Sequence, residues 1–230
     1  RKRAEARDIF INPTTRLFYV EVEQPDMHEP SGDLERLIKS LEKEWNLISL
    51  AADFSILKKI QSVLRKGQWK VTCAIHSDES SKQSKIVEIW PGYYEGTIYG
   101  MAVDLGSTTI AAHLCDLQTG EVVASSGTMN PQIRFGEDLM SRVSYSMMNS
   151  KGDEEMTSAV RAGMNELFSE VAKEANINTN LIMDAVFVCN PVMHHLFLGI
   201  DPFELGQAPF ALATSNAIST KSSNLELTKM

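Results

Sequence analysis

The sequence has few cysteines, no long hydrophobic run and no excess of basic residues. Its three cysteines, Cys73, Cys115 and Cys189, lie far apart, and none forms a Cys-x-x-Cys or Cys/His pair. No zinc or iron–sulfur site is therefore predicted within this chain. The sequence has no run of about 18 consecutive apolar residues, so no membrane-spanning helix is predicted. The formal net charge of −8 argues against binding to nucleic acid, which requires a basic face.

The ends of the chain bear on its location and its completeness. The N-terminal stretch RKRAEARDIF lacks the apolar core of a secretion signal, so we expect a cytoplasmic protein. Because the chain begins with Arg1 and stops in a polar stretch at Met230, we expect it to be a piece of a longer protein. Its hydrophobic fraction of 43% is high enough for that piece to fold around a core.

Residues 1–96 have the pattern of a small α+β domain. Alternating apolar residues predict strands in IFI, LFYVEV, WKVTCAIHS and KIVEIW. Apolar residues at helical spacing predict one helix over 31–45 and a second over 53–65. A turn-rich segment, PGYYEG, ends the domain. Its histidines are isolated, so we identify no catalytic group in this domain.

Residues 97–230 have a different pattern, in which three strands precede a series of helices. The strands are IYGMAVD, TIAAHLCDL and EVVASSGTM, and helices are predicted over 137–148 and 154–175. A strand, AVFVC, and a short helix, VMHHLFLG, follow. This order predicts an α/β fold, specifically a ribonuclease-H-like or actin-like half lobe, and excludes a βαβ Rossmann unit.

The turn between the first two of these strands carries the residues of greatest chemical interest: Asp104, Gly106, Ser107, Thr108 and Thr109. Glycine lets backbone amides approach a ligand closely, and the three hydroxyls add further donors. Such converging donors suit phosphate oxygens. A carboxylate beside a phosphate requires an intervening cation, so Asp104 is predicted to act through Mg²⁺.

A plain hairpin turn is the alternative interpretation of the same residues, since Gly, Ser and Thr favour turns in any case. Two features favour the phosphate site. The strand that ends at Asp104 looks buried, and a buried carboxylate is costly unless it is paired or bound to metal. The strand–turn–strand order is also the one that an actin-like nucleotide lobe needs.

The segment DLGSTT resembles the first phosphate loop of the acetate and sugar kinase, heat-shock chaperone and actin superfamily. Three longer blocks narrow the resemblance: GMAVDLGSTTIAAHL, MNPQIRFGEDLMSRVSY and CNPVMHHLFLGIDPFELGQAPF. Together they resemble the ATP-dependent reductive activators of corrinoid proteins. The resemblance is close over residues 97–213. It is looser over the first domain, which would be the middle domain that precedes the ATPase domain, with 97–230 as the N-terminal part of the latter.

This resemblance implies that ATP hydrolysis is coupled to reduction of cob(II)alamin to cob(I)alamin on a corrinoid protein partner. It implies that Gly106, Ser107, Thr108 and Thr109 hold the β- and γ-phosphates of ATP, while Asp104 acts through Mg²⁺. It also implies a homodimer, a 2Fe–2S cluster on an N-terminal domain that this chain lacks, and a second lobe with an adenosine-binding segment. The chain would then hold half of a nucleotide site.

The other quoted blocks contain further candidate site residues. Asp138 is a candidate water-orienting base, although an acidic residue in the first turn of a helix is also favoured by the helix dipole. Asn190 is a helix cap at the carboxyl end of a strand, where α/β sheets bind ligands, so a cofactor-binding role stays open. His194 and His195 are adjacent on a helix and point about 100° apart, so structural roles are expected for them.

Two other functions fit the same residues. A kinase of the same superfamily, which phosphorylates a small molecule, would need a base for a substrate hydroxyl, and Asp138 is the only candidate. A non-catalytic interaction module that no longer uses nucleotide is the second, and the intact DLGSTT segment argues against it.

Overall fold

The computed structural model describes residues 10–78 and 83–230, which form two compact units. The first unit extends to Thr97 and includes Leu117–Gly120, and the second comprises Ile98–Asp116 and Glu121–Met230. Within the described ranges, no helix has the length and apolar character needed to cross a bilayer.

The first unit is a four-stranded sheet with helices packed against it. Its strands are β1 (Thr15–Glu21), β2 (Leu50–Ala52), β3 (Lys70–Asp78) and β4 (Gln83–Pro91), and its helices are α1 (Asp33–Trp45), α2 (Phe54–Leu57) and α3 (Ile60–Lys66). The strand order is β1-β3-β4-β2, in which β2 runs parallel to β4 and the other pairs are antiparallel. The α+β character predicted for this region is confirmed.

Three local predictions for the first unit differ from the structure. Strand β2 was not predicted, because three residues are too few to show an alternating pattern. The helix expected over 53–65 is broken at Lys59, whose φ of −122° departs from helical values, so α2 and α3 are separate. Of the strand expected in IFI, Ile9 lies outside the described residues, and Phe10 and Ile11 belong to no strand.

The second unit is built on a sheet of four strands in the order β7-β6-β5-β8. The strands are β5 (Tyr99–Leu105), β6 (Thr109–Asp116), β7 (Val122–Met129) and β8 (Ile182–Cys189), and the helices are α4 (Leu139–Met148), α5 (Gly152–Glu174) and α6 (Pro191–Leu198). Strands β5, β6 and β7 are antiparallel neighbours, and β8 pairs in parallel with β5. This is the predicted order of a ribonuclease-H-like half lobe, so the α/β fold class is confirmed.

One face of this sheet is packed and the other is exposed. Val103, Leu105 and Ile110 point toward the core, where they belong to one apolar cluster with Met164 and Phe168 of the long helix α5. The alternate residues of the strands point the other way. Val186 and Val188 on that face are 61% and 67% exposed.

The parallel pairing of β5 and β8 fixes where the candidate site lies. Leu105, the last residue of β5, is paired with Cys189, the last residue of β8. The residues that follow these two strands, Gly106 and Asn190, therefore emerge at the same edge of the sheet. This is the edge at which ligands bind in many α/β proteins.

Candidate phosphate-binding loop

The loop between β5 and β6 is a tight turn of Gly106–Thr109. The Gly106 amide donates a hydrogen bond to the carbonyl oxygen of Thr109 at 3.1 Å. A Cβ atom on Gly106 would lie 2.7 Å from that oxygen, which is closer than van der Waals contact permits. Only glycine fits this position without moving the backbone.

The three carbonyl oxygens of the loop before Thr109 all accept hydrogen bonds from Asn130 or Arg142. Gly106 O accepts from Asn130 Nδ2 at 2.8 Å, Ser107 O accepts from Arg142 Nη2, and Thr108 O accepts from the Asn130 amide at 2.8 Å. In a trans peptide the C=O and the following N–H point in opposite directions. The amides of Ser107 and Thr108 are therefore directed away from Asn130 and Arg142.

These two amides face the open side of the loop. Neither donates to an acceptor among residues 10–78 and 83–230. Thr108 and Thr109 are exposed, and Ser107 is half-buried. The loop thus presents backbone N–H and side-chain O–H donors to solvent, which is the donor set of an anion-binding nest.

A buried polar network supports the loop. Asn130, Gln132 and Arg142 are 1%, 0% and 0% exposed. Asn130 Oδ1 accepts from the Gln132 amide at 2.9 Å, Gln132 Nε2 donates to the carbonyl of Met156 at 2.9 Å, and Arg142 Nη1 donates to Gln132 Oε1 at 3.4 Å. The network ties the loop to a short 3₁₀ helix, Pro131–Phe135, and to helices α4 and α5.

The residues of this network were not identified as site residues from the sequence, although a signal was present. Leu139, Arg142 and Val143 follow the spacing of one helical face, so an arginine stands on the apolar side of α4. An arginine in that position is expected to be buried and to have a specific set of acceptors.

Asp104 lies next to the loop, but it is not buried. It points to the exposed face of the sheet, opposite the packed residues Val103 and Leu105. The expectation of a buried carboxylate was wrong, because β5 is covered on one face only in this chain. Burial therefore gives no reason for a metal at Asp104. Its charge does reach Cys189, whose thiol pKa is raised by burial first and by Asp104 second.

The donor set nevertheless fits Mg²⁺ bound together with phosphate. Within the described part of the chain, no group of three or more His, Cys, Asp or Glu side chains is placed to hold a metal ion. Mg²⁺ commonly uses one or two carboxylates, several waters and the phosphates of the substrate, so it needs no such group. A single exposed carboxylate beside outward-facing amides and hydroxyls meets that requirement.

Asp138 and Asn190 both act as helix caps. Asp138 Oδ1 accepts from the Ser141 amide at 2.7 Å at the start of α4, and Asn190 Oδ1 accepts from the Met193 amide at 3.0 Å at the start of α6. The hydrogen bonds from Ser141 lower the pKa of Asp138, which makes it a weaker base. The base role of Asp138 and the ligand role of Asn190 stay predictions.

The two adjacent histidines have the separate environments that their helical spacing predicts. His195 is 1% exposed, its Nδ1 bonds to the carbonyl of Pro191 at 2.8 Å, and its Nε2 accepts from the Ala213 amide at 3.0 Å. Both ring nitrogens are thus used within the fold. His194 is half-buried, and burial lowers its pKa, with a smaller contribution from His195.

A ribonuclease-H-like half lobe with a Gly-Ser-Thr-Thr loop between its first two strands places this chain in the actin-like class of folds. The chain belongs to the RACo family. Residues 99–230 match the model of the RACo middle region, and residues 4–96 match the model of the RACo linker region.

Two known proteins are similar to the chain. The corrinoid activation enzyme RamQ of Eubacterium limosum is 32% identical over 170 residues, which cover 74% of this chain and 28% of that protein. A solved structure of a reductive activator for corrinoid, iron-sulfur protein is 29% identical and superposes with a TM-score of 0.86, covering 98% of this chain and 35% of that one. The chain spans about a third or less of the length of these relatives.

Proposed function

We propose that this chain supplies the first phosphate-binding loop of an ATP-dependent reductive activator of a corrinoid protein. The observation that carries the proposal is the fixed direction of the loop amides. Because the carbonyls of Gly106, Ser107 and Thr108 are all bonded from behind, the amides of Ser107 and Thr108 are held ready for an anion before it arrives. Such preorganisation avoids the cost of ordering the loop on binding.

Each residue of the site has a distinct proposed role. The amides and hydroxyls of Ser107 and Thr108, with the hydroxyl of Thr109, would hold the β- and γ-phosphates. Gly106 keeps the space that the turn requires, and Asp104 would accept hydrogen bonds from water on Mg²⁺. Mg·ATP, when bound, supplies the free energy of hydrolysis for an otherwise unfavourable electron transfer.

The proposed coupling between ATP hydrolysis and corrinoid reduction depends on thermodynamic linkage. Nucleotide states influence a distant reaction only if they favour different arrangements of the protein. We propose that closure of two lobes on ATP provides these arrangements, and that the partner is a corrinoid protein, as the names of the two relatives indicate for those proteins. The proposed reaction is reduction of cob(II)alamin to cob(I)alamin. A homodimer remains part of the proposal.

The residues of this chain do not fit an iron–sulfur cluster. Cys73 is fully buried in the first unit, where desolvation raises its pKa to about 12, while Cys115 and Cys189 lie on different strands of the second unit. Cluster ligation requires several thiolates close together. No electron-transfer step is therefore assigned to this chain, and the 2Fe–2S cluster is proposed only for an N-terminal domain outside it.

The test uses the full-length protein that contains this chain, with Asp104→Ala and Thr108→Ala beside the wild type. Both substitutions are expected to lower Mg·ATP hydrolysis by about tenfold or more, since Thr108→Ala removes a hydroxyl that would bind the phosphates and Asp104→Ala removes the acceptor of the metal-bound water. Formation of cob(I)alamin on a corrinoid protein, followed by its visible absorption, should fall in parallel. Thr119→Ala, in the turn at the other end of the β6–β7 hairpin, is the matched control.

The same experiment separates the alternatives. Unchanged hydrolysis in both Asp104→Ala and Thr108→Ala would reject the assigned roles. A phosphorylated small molecule in place of free phosphate would identify a kinase. Absence of Mg·ATP binding by the wild-type protein, measured by calorimetric titration, would identify a non-catalytic interaction module.

A further inference from the structure

Arg142 is a buried arginine that directly contacts the back of the phosphate-binding loop. Its guanidinium is 0% exposed and donates to the carbonyl oxygens of Ser107 and Gly136, the latter at 3.0 Å. Its remaining contacts are Gln132 Oε1 at 3.4 Å and Met193 Sδ at 3.2 Å. All of these partners are neutral.

The positive charge of Arg142 has no ion-pair partner among the described residues. The carboxylate whose charge acts on it most directly is Asp138, which is exposed to solvent and used as the cap of α4. Arg161 on the neighbouring helix shows the usual arrangement, with an ion pair to Glu226 at 3.4 Å. A buried charge without a countercharge is costly, and burial accordingly lowers the pKa of Arg142.

The guanidinium of Arg142 lies on one side of the Ser107–Thr108 peptide group, and the open side of the loop lies on the other. Arg142 bonds the carbonyl of the Ser107–Thr108 peptide, and the N–H of that peptide points the opposite way. An anion that accepts from the Thr108 amide would therefore lie across a single peptide group from the guanidinium. At such a separation in a partly buried site, opposite charges attract by several times the thermal energy.

We infer that Arg142 is a positioning residue for the ligand of this loop: it aims the Thr108 amide and supplies a buried positive charge that a polyphosphate neutralises. This inference rests on the proposed function of the loop and adds a determinant of ligand charge to it. The loop should then prefer ligands with more phosphate charge, because the attraction grows with the charge opposite Arg142.

The test compares three variants of the full-length protein. Arg142→Gln removes the charge, Arg142→Lys keeps the charge but loses the fork of donors, and Arg36→Gln removes a buried arginine from the first unit as a matched control. The dissociation constants for Mg·ATP and adenosine are measured for each variant, and the shift in melting temperature with inorganic tripolyphosphate is recorded.

Arg142→Gln is expected to weaken Mg·ATP binding by about tenfold while leaving adenosine binding unchanged, and to reduce the tripolyphosphate shift. Arg142→Lys should recover most of the preference for Mg·ATP over adenosine. Arg36→Gln should lower the melting temperature without changing that preference. If Arg142→Gln fails to fold, the absolute affinities of Arg142→Lys decide. The inference predicts a Mg·ATP affinity close to the wild-type value, because the charge is kept, whereas a purely structural role that depends on the fork of donors predicts equal losses of affinity for Mg·ATP and adenosine.

Two negative outcomes differ in what they overturn. Equal loss of Mg·ATP and adenosine affinity in both Arg142 variants, or no loss in either, would overturn the inference and leave the loop as proposed. If Asp104→Ala and Thr108→Ala also leave Mg·ATP binding unchanged, the proposed function of the loop fails with it.

Discussion

Arg36 in the first unit and Arg142 in the second are buried arginines on helices, and each donates to backbone carbonyls of a neighbouring loop. Arg36, on α1, is 5% exposed and bonds the carbonyls of Gln24 and Ser31 at 3.3 and 3.4 Å, and that of Glu29. In both cases the arginine fixes a loop that has little regular structure of its own.

The surroundings of the two arginines differ in charge. Glu23, Glu29 and Glu35 line the same depression as Arg36, and its charge also contributes, after the amides of the Asp26 turn, to the lowered pKa of Asp26. The loop held by Arg142 contains no acidic residue between Gly106 and Thr109. Acidic side chains of the chain therefore lie close to Arg36, whereas our inference assigns the countercharge of Arg142 to an external anion.

The largest expected effect in this comparison comes from Asn130→Ala. The substitution leaves the buried Gln132 amide and the carbonyl of Gly106 without their side-chain partner. Each such group costs about 1–3 kcal/mol, so we expect unfolding of the second unit to become about 3 kcal/mol easier. Urea denaturation followed by circular dichroism would measure this change.

Asn178→Ala is the matched control, since Asn178 caps another short 3₁₀ helix through the same kind of bond to Asn180. Its side chain is not part of a buried network, and we expect a loss of about 1 kcal/mol. Equal losses for the two asparagine variants would show that Asn130 acts as an ordinary cap and does not stabilise the Gly106–Thr109 loop.

The sequence allowed the order of strands and helices in the second unit and the tight turn between β5 and β6 to be predicted, because both depend on local patterns. The phosphate-binding role of that turn stays a prediction. The network behind the loop depends on contacts between distant positions: Asn130 bonds Gly106, which is 24 residues away, and Arg142 bonds Ser107, which is 35 residues away. Neither periodicity nor turn preferences report such pairs. The exposure of Asp104 was missed for a related reason, since an apolar strand does not show which of its faces is covered.

Arg36→Gln is expected to have the next largest effect, confined to the first unit. All three tryptophans, Trp45, Trp69 and Trp90, lie in that unit, so their fluorescence reports its unfolding. Loss of charge-assisted bonds to three carbonyls should destabilise this unit by about 2 kcal/mol.

Arg142→Gln should leave the fluorescence transition in place and shift the circular dichroism transition. Movement of both signals in both variants would show that the two arginines do not act on separate units.

Asp104→Asn should change ligand binding with little change in stability, because the side chain is exposed. Without Mg²⁺, removal of its negative charge should strengthen tripolyphosphate binding several-fold by relieving repulsion. With Mg²⁺, the same variant should bind Mg·ATP more weakly, since the neutral amide no longer offers the metal-bound water a charged acceptor. Calorimetric titration with and without the metal measures this reversal, and a change of the same sign in both conditions would contradict the role of Asp104 beside the loop.

The smallest expected effect concerns Asp138, whose folded-state pKa is lowered by the bonds from Ser141 and, to a smaller extent, by the charge of Arg142. A carboxyl with a lowered pKa contributes stability that is present above its ordinary pKa and is lost as the pH falls through the folded value. Asp138→Asn keeps a capping side chain and should abolish this pH dependence, whereas Asp138→Ala should also lose the cap. Melting temperatures between pH 2.5 and 6, that is, across about the ordinary range of a carboxyl group, would show the difference.

ATP hydrolysis by Asp138→Asn separates the two roles considered for Asp138. If Asp138 caps the helix that carries Arg142 and does no more, Asp138→Asn will hydrolyse ATP at the wild-type rate. A large loss of hydrolysis with an unchanged melting temperature would instead identify Asp138 as the base.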